Sequence, residues 1–143
     1  YLYLDLRKYF PVNTRKRSIL AIRTLYWDTF GDVPYLDLPA TMTDRESRVG
    51  RGYNYARFRG KGMLYGEAEY RFTLSQNQFW GGVVFVNGHS FREPDSGGFE
   101  FINPAAGFGL RMKFNKRSNT NLTLDFAFGR DSFTWHLNIG EFF

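Results

Sequence analysis

The chain contains no cysteine, only two histidines and five prolines in 143 residues, and no long apolar run. Without cysteine there are no disulfides and no thiolate metal sites. Two histidines with no ligand spacing around them do not make a metal centre, and no residue pattern asks for a cofactor. A transmembrane helix needs ~20 apolar residues in succession, so spanning by a helix is excluded. Spanning by strands, at ~9–11 residues each, is not. A leader-type segment is missing ahead of the first strand-like residues, so the sequence is expected to be a mature form or a fragment. The net charge of +5 suits anionic lipid headgroups or a basic lumen and is too small to argue for nucleic acid.

What is abundant is aromatic. Phe and Tyr number 16 and 9, and aromatics make up 20% of a chain that is only 43% hydrophobic, with a mean hydropathy of −0.43. A water-soluble core does not need so much Phe and Tyr beside so much polar sequence. A membrane β-barrel does: every second residue meets lipid, the alternate ones meet a polar lumen, and aromatics girdle both interfaces. At this length a single domain over residues 1–143 is expected, without a periplasmic domain.

The chain alternates between apolar and polar residues almost throughout. Tyr1–Phe10 puts Leu2, Leu4, Leu6 and Phe10 on one face and Tyr3, Asp5, Arg7 and Tyr9 on the other, and Pro11–Lys16 reads as a turn. Arg17–Trp27 alternates more weakly, because Ile19 and Leu25 fall on the polar face with Ala21 and Arg23. Met63–Leu74 sets Leu64, Ala68, Tyr70 and Phe72 against Glu67, Glu69 and Arg71; Ser75–Gln78 turns the chain. Phe79–Gly88 is Gly-rich and apolar on both faces, which predicts close backbone approach on its inner side. His89–Asn103, with Pro94 and a Gly pair, reads as a loop. Pro104–Asn115 sets Phe108, Leu110, Met112 and Phe114 against Gly107, Gly109, Arg111 and Lys113; Lys116–Ser118 turns the chain. Asn119–Gly129 and Phe133–Phe143 follow, with Asp125 and His136 on the polar faces and Arg130–Ser132 between them. Seven strands in a meander carry apolar rows that no second sheet or amphipathic helix covers. The expected fold is therefore all-β: an antiparallel up-and-down transmembrane β-barrel of about seven to eight strands.

The long connection Phe30–Gly62 is the exception, and loops of that length in a compact domain are usually functional. Its segment Arg48–Gly62 holds five Lys or Arg, three aromatics and four Gly in fifteen residues. It is either a basic loop extended into solvent or a segment folded back into the scaffold. Gly50-Arg51-Gly52-Tyr53 within it resembles the (V/I)-R-G-(F/Y) motif of the BamA/TamA superfamily of outer-membrane assembly and secretion barrels. Gly66–Phe72 resembles the strand that follows that loop, and Phe85-Val86-Asn87-Gly88 the family's F-x-D-x-G strand. Gly107–Arg111 and Leu122–Asp125 resemble its last strands. The ending, with Leu137, Ile139 and Phe143 at alternate or terminal positions, resembles the C-terminal barrel signal read during biogenesis. The matches are co-linear over nearly the whole chain. Gly50 stands where the family has Val or Ile, with Val49 before it, and Asn87 stands where the family has Asp.

The resemblance implies that the loop folds into the lumen and that Arg51 docks on acidic wall residues. Glu69 is the expected partner of Arg51, with Glu67 and Asn87 beside it on the inward faces. It also implies insertion, assembly or translocation of outer-membrane proteins, with no covalent catalysis. The expected place is the outer membrane of a Gram-negative-type bacterium. The expected partners are its bilayer, lipopolysaccharide or phospholipid, and client outer-membrane proteins. The alternative is a reduced structural, pore-forming or oligomer-forming barrel without insertase activity. A hydrolase reading has less behind it: His89, at the expected base of a loop, and His136 have no nucleophile motif around Ser47, Ser90 or Ser132.

With the terminal Phe143 at the periplasmic side, Arg130–Ser132, His89–Asn103 and Phe30–Gly62 are expected to be extracellular. An odd strand count leaves two edges, so a strand preceding Tyr1 is expected. The alternatives are a homodimer that pairs Tyr1–Phe10 with Phe133–Phe143 of a second copy, and a strand formed within Phe30–Gly62, against which Pro34 and Pro39 argue.

Overall fold

In a computed structural model the alternating segments form seven antiparallel strands joined in chain order into one sheet, β1-β2-β3-β4-β5-β6-β7. The structure describes residues 1–15, 17–43, 49–92, 97–115, 117 and 120–141, apart from the side chains of 114 and 115. Expectations that fall on Lys16, Ser47, Arg48, Pro94, Lys116, Ser118, Asn119 and Phe143, and on the side chain of Phe114, lie outside the described residues. The strands are β1 (Leu2–Asn13), β2 (Ser18–Asp28), β3 (Gly62–Thr73), β4 (Trp80–Phe91), β5 (Asn103–Asn115), β6 (Thr120–Gly129) and β7 (Ser132–Ile139). No helix among the described residues is long and apolar enough to cross a membrane, which says nothing of strands.

Several boundaries differ from the sequence reading. β1 runs through Pro11 to Asn13, with a register shift between those two residues. As an edge strand, β1 accepts a proline because one side of its backbone needs no ladder partner. β4 continues to Phe91, so His89 and Ser90 belong to a strand and not to the base of a loop. Pairing of Tyr65 with His89 and of Met63 with Phe91 carries the ladder that far. β7 ends at Ile139, four residues short of the expected end. Gly140 follows it at φ +98°, a conformation that leaves the strand.

The register aligns the faces. Arg23, Glu67 and Asn87 are successive cross-strand partners, and Ala105 pairs Asn87 in turn. This inner face is buried under the 30–62 connection. The outer face is not: Leu4, Leu6, Ile22, Leu64, Val86, Phe108, Leu110, Phe128, Trp135 and Leu137 are all exposed. Among the described residues no ladder joins β1 to β7, so the sheet has two edges and is not closed.

Candidate functional site

The connection between β2 and β3 is an ordered layer whose two halves zip together. Ala40 and Arg59 form an isolated antiparallel bridge. Thr41 N–H donates to Phe58 O (3.0 Å), Met42 N–H to Val49 O (2.9 Å), Ala56 N–H to Thr41 O (2.7 Å) and Gly60 N–H to Pro39 O (3.1 Å). Pro34 precedes a single 3-10 turn, Tyr35–Asp37. The Arg59 guanidinium donates to the carbonyls of Tyr35, Leu36 and Leu38 and lies 4.8 Å from the Tyr35 ring. These bonds satisfy backbone groups that have no sheet partner, and they hold the layer together behind its tip.

At that tip the chain turns through Gly50 (φ +91°) and Gly52 (φ +100°), where a residue with a Cβ is strained. Gly52 has a second reason to lack a side chain. A Cβ there would stand 2.7 Å from the Ala105 Cβ and 3.2 Å from the Gly129 nitrogen. Its N–H donates to Thr134 Oγ1 on β7 (3.1 Å).

Arg51, between the two glycines, is fully buried. Its guanidinium donates to both Glu67 and Glu69 on β3 and, through Nη1, to Asp125 Oδ2 on β6 at 3.0 Å. The Phe85 ring of β4 lies 3.6 Å from its central carbon, in cation–π contact. β3 and β6 are three strand spacings apart, about 14 Å in a flat sheet at ~4.8 Å per step. One guanidinium reaches both because the sheet curls around it. Burial alone would push the guanidinium pKa down. The carboxylates of Glu67 and Glu69 more than offset that, and the net direction is upward. The charged form of Arg51 is therefore the one the site holds.

The flanking motif residues pin the same tip. Tyr53 is buried, and its hydroxyl donates to Pro104 O (2.6 Å) and accepts from the Arg130 N–H (3.1 Å), tying the loop to both ends of the β5–β6 hairpin. Asn87 reaches the loop differently from a carboxylate: its Nδ2 donates to the backbone carbonyl of Arg51 at 3.1 Å. An amide can do this where an aspartate cannot, because only the amide carries a donor. Glu67 also accepts from the Tyr65 hydroxyl, and Glu69 from Arg71 Nε (2.5 Å).

Gly50, Arg51, Gly52, Tyr53, Glu67, Glu69 and Asn87 thus meet at one place on the inner face. Leu137 and Ile139 do not join them. They are exposed on the outer face of β7, and Phe143 lies outside the described residues. Asp125, Phe85 and Thr134 belong to the site although sequence reasoning did not assign them to it. The inward phase of Asp125 was legible, but only the curl of the sheet brings it to Arg51.

His89 is buried between Tyr53, Phe58 and Phe91, with ring centroids at 4.9, 5.0 and 5.5 Å. Neither of its nitrogens has a hydrogen-bond partner among the described residues. His136 Nε2 lies 3.1 Å from Thr134 Oγ1. Comparison with protein-family models, curated proteins and solved structures gives no match to this chain.

Proposed function

We propose that this chain is barrel wall of an outer-membrane protein of the BamA/TamA type, acting in the insertion, assembly or translocation of outer-membrane proteins. The observation that carries the reading is the burial of Arg51, held by Glu67, Glu69 and Asp125 on the inner face. The motif that bears the family resemblance is thus the part of the loop docked on inward carboxylates. The exposed apolar rows of the outer face support a lipid-facing role for the same sheet.

In this reading the protein makes and breaks no covalent bonds. The loop braces the wall from inside, through one cation shared by three carboxylates. The edges offered by β1 and β7 accept a client strand by β-augmentation, in which main-chain hydrogen bonds supply the affinity. β7, the shorter edge at Ser132–Ile139, thins the bilayer locally and lowers the barrier to insertion. Pairing of the same two edges between copies gives the second reading, a structural or oligomer-forming unit; the unjoined β1 and β7 favour it.

The deciding experiment reconstitutes the protein in vesicles of outer-membrane phospholipids and adds an unfolded client barrel. Faster appearance of folded, protease-resistant client than in empty vesicles is expected. Client folding at the empty-vesicle rate would reject the insertase reading and leave the structural one.

A further inference from the structure

The ends of the strands nearest the β1–β2, β3–β4 and β5–β6 turns enclose a cavity of about 430 Å³. Arg17, Arg71, Arg111 and Lys113 line it, and Glu141 is its one carboxylate among the described residues. The cavity lies beyond the Arg51 cluster, and no described residue of the 30–62 connection lines it.

Glu141 is placed there by the exit from β7. Gly140 turns inward at φ +98° and its N–H donates to Asn121 O at 2.7 Å. The Glu141 carboxylate then accepts from Arg111 Nε (2.8 Å) and Asn121 Nδ2 (2.8 Å), with Arg71 Nε 3.9 Å away. Donors from β3, β5 and β6 therefore converge on one anionic group. Each of the two arginines also has a deeper, buried carboxylate: Glu69 holds Arg71, and Asp125 holds Arg111. Glu141 differs from those two. Its side chain is 24% exposed, against 0% for Glu69 and 2% for Asp125, so water reaches the contact and can exchange it. Arg17 and Lys113 take part in no ion pair among the described residues, which leaves the mouth with cations that no described carboxylate neutralises.

We infer that this cradle is a binding site for a phosphate-type anion, in which the Glu141 carboxylate is an internal stand-in that the ligand displaces. Guanidinium groups match the oxygens of carboxylate and phosphate alike. A phosphate that replaces Glu141 keeps the Arg111 and Asn121 bonds and gains Arg17 and Lys113. Gly81 and Gly82 add no side chain to the wall, while Phe79 and Trp80 give the lip an apolar surface. That surface suits a phosphate carried on a lipid, but inorganic phosphate presents the same oxygens. The site does not depend on the insertase reading, since anion binding is measured without any client.

The test uses the full chain refolded in a zwitterion-free, non-ionic detergent and titrated with inorganic phosphate by calorimetry. Glu141→Gln removes the competing charge and is expected to bind phosphate about tenfold more tightly, the effect of one charge pair at a partly solvated site. Arg17→Gln with Lys113→Gln is expected to bind it about tenfold more weakly, and added salt to narrow the difference. Thermal unfolding of each variant checks that the sheet is intact. Dihexanoyl phosphatidic acid below its micelle concentration and glycerol 3-phosphate separate the sources. Tighter binding of the lipid supports a headgroup site, and equal binding supports a free phosphate. No heat with any of the three probes, or the same affinity in both variants, would overturn the proposal.

Discussion

Arg51 and Asp125 are 74 residues apart in sequence, and their side chains meet at 3.0 Å in the buried face of the sheet. With Glu67 and Glu69 on the far side of the same guanidinium, this contact ties the β2–β3 connection to β3 and β6 at once.

Removing the cation should therefore loosen the whole assembly. Breaking a fully buried ion pair from one side costs about 3–5 kcal/mol, because the partner charge is left uncompensated. Arg51→Ala should show a loss of that order, seen as a lower temperature at which the folded band converts on gels. Arg51→Lys should recover only part of it, since an ammonium cannot bridge three carboxylates as a fork does. An unchanged melting profile in Arg51→Ala, Glu67→Gln and Glu69→Gln alike would contradict a bracing role.

Two glycines give a matched pair of tests. Gly52→Ala adds a Cβ at φ +100°, 2.7 Å from the Ala105 Cβ, and strain at such a position costs about 1–3 kcal/mol before any clash. Gly66→Ala, on the outer face of β3, meets nothing within 4 Å and should change stability by no more than about 0.5 kcal/mol. Denaturant midpoints in one detergent compare the two. Equal midpoints would mean that the loop tip is not seated as described.

Tyr53→Phe keeps the ring contacts to Phe58 and His89 and deletes only the hydroxyl. Pro104 O and the Arg130 N–H then lose their partner, at a cost of about 1–3 kcal/mol for polar groups left unpaired. Amide exchange should speed up at Arg130 in this variant while β1 and β2 keep their protection. Unaltered exchange at Arg130 would argue against the bond.

His89 should respond in the opposite sense to ordinary core truncation. Its ring fills an aromatic box in which neither nitrogen has a partner among the described residues. His89→Phe retains the volume and removes the unpaired polar atoms, so stability should stay level or rise by about 1 kcal/mol. His89→Ala empties the box and should cost about 3 kcal/mol. If the Phe variant were clearly less stable than the parent protein, the imidazole would have a polar partner.

Much of the sheet was legible from alternation, because a strand has a period of two and one face must be unlike the other. The strand count, the meander order and the inward phase of Glu67, Glu69, Asn87, Arg111 and Asp125 follow from that alone. Strand ends were less legible. Pro11 and His89 look like turn and loop residues locally, yet ladder pairing with β2 and β3 extends the strands through them. Local propensity gives way where a neighbouring strand supplies hydrogen bonds. Gly140 shows the converse, a positive φ ending β7 inside a segment that still alternates.

What the sequence determined by itself is periodic and local: which residues share a face, where glycines permit a turn, and that one basic loop has an Arg between two of them. What only the tertiary structure decided is which distant residues share a point in space. Curl of the sheet brings β6 to the same guanidinium as β3, Asn87 meets the Arg51 backbone rather than its charge, and Glu141 swings in to the arginines of β3 and β5. The physical reason is that side-chain phase repeats along a strand and can be counted, whereas curvature accumulates across strands. No single stretch of sequence carries that sum.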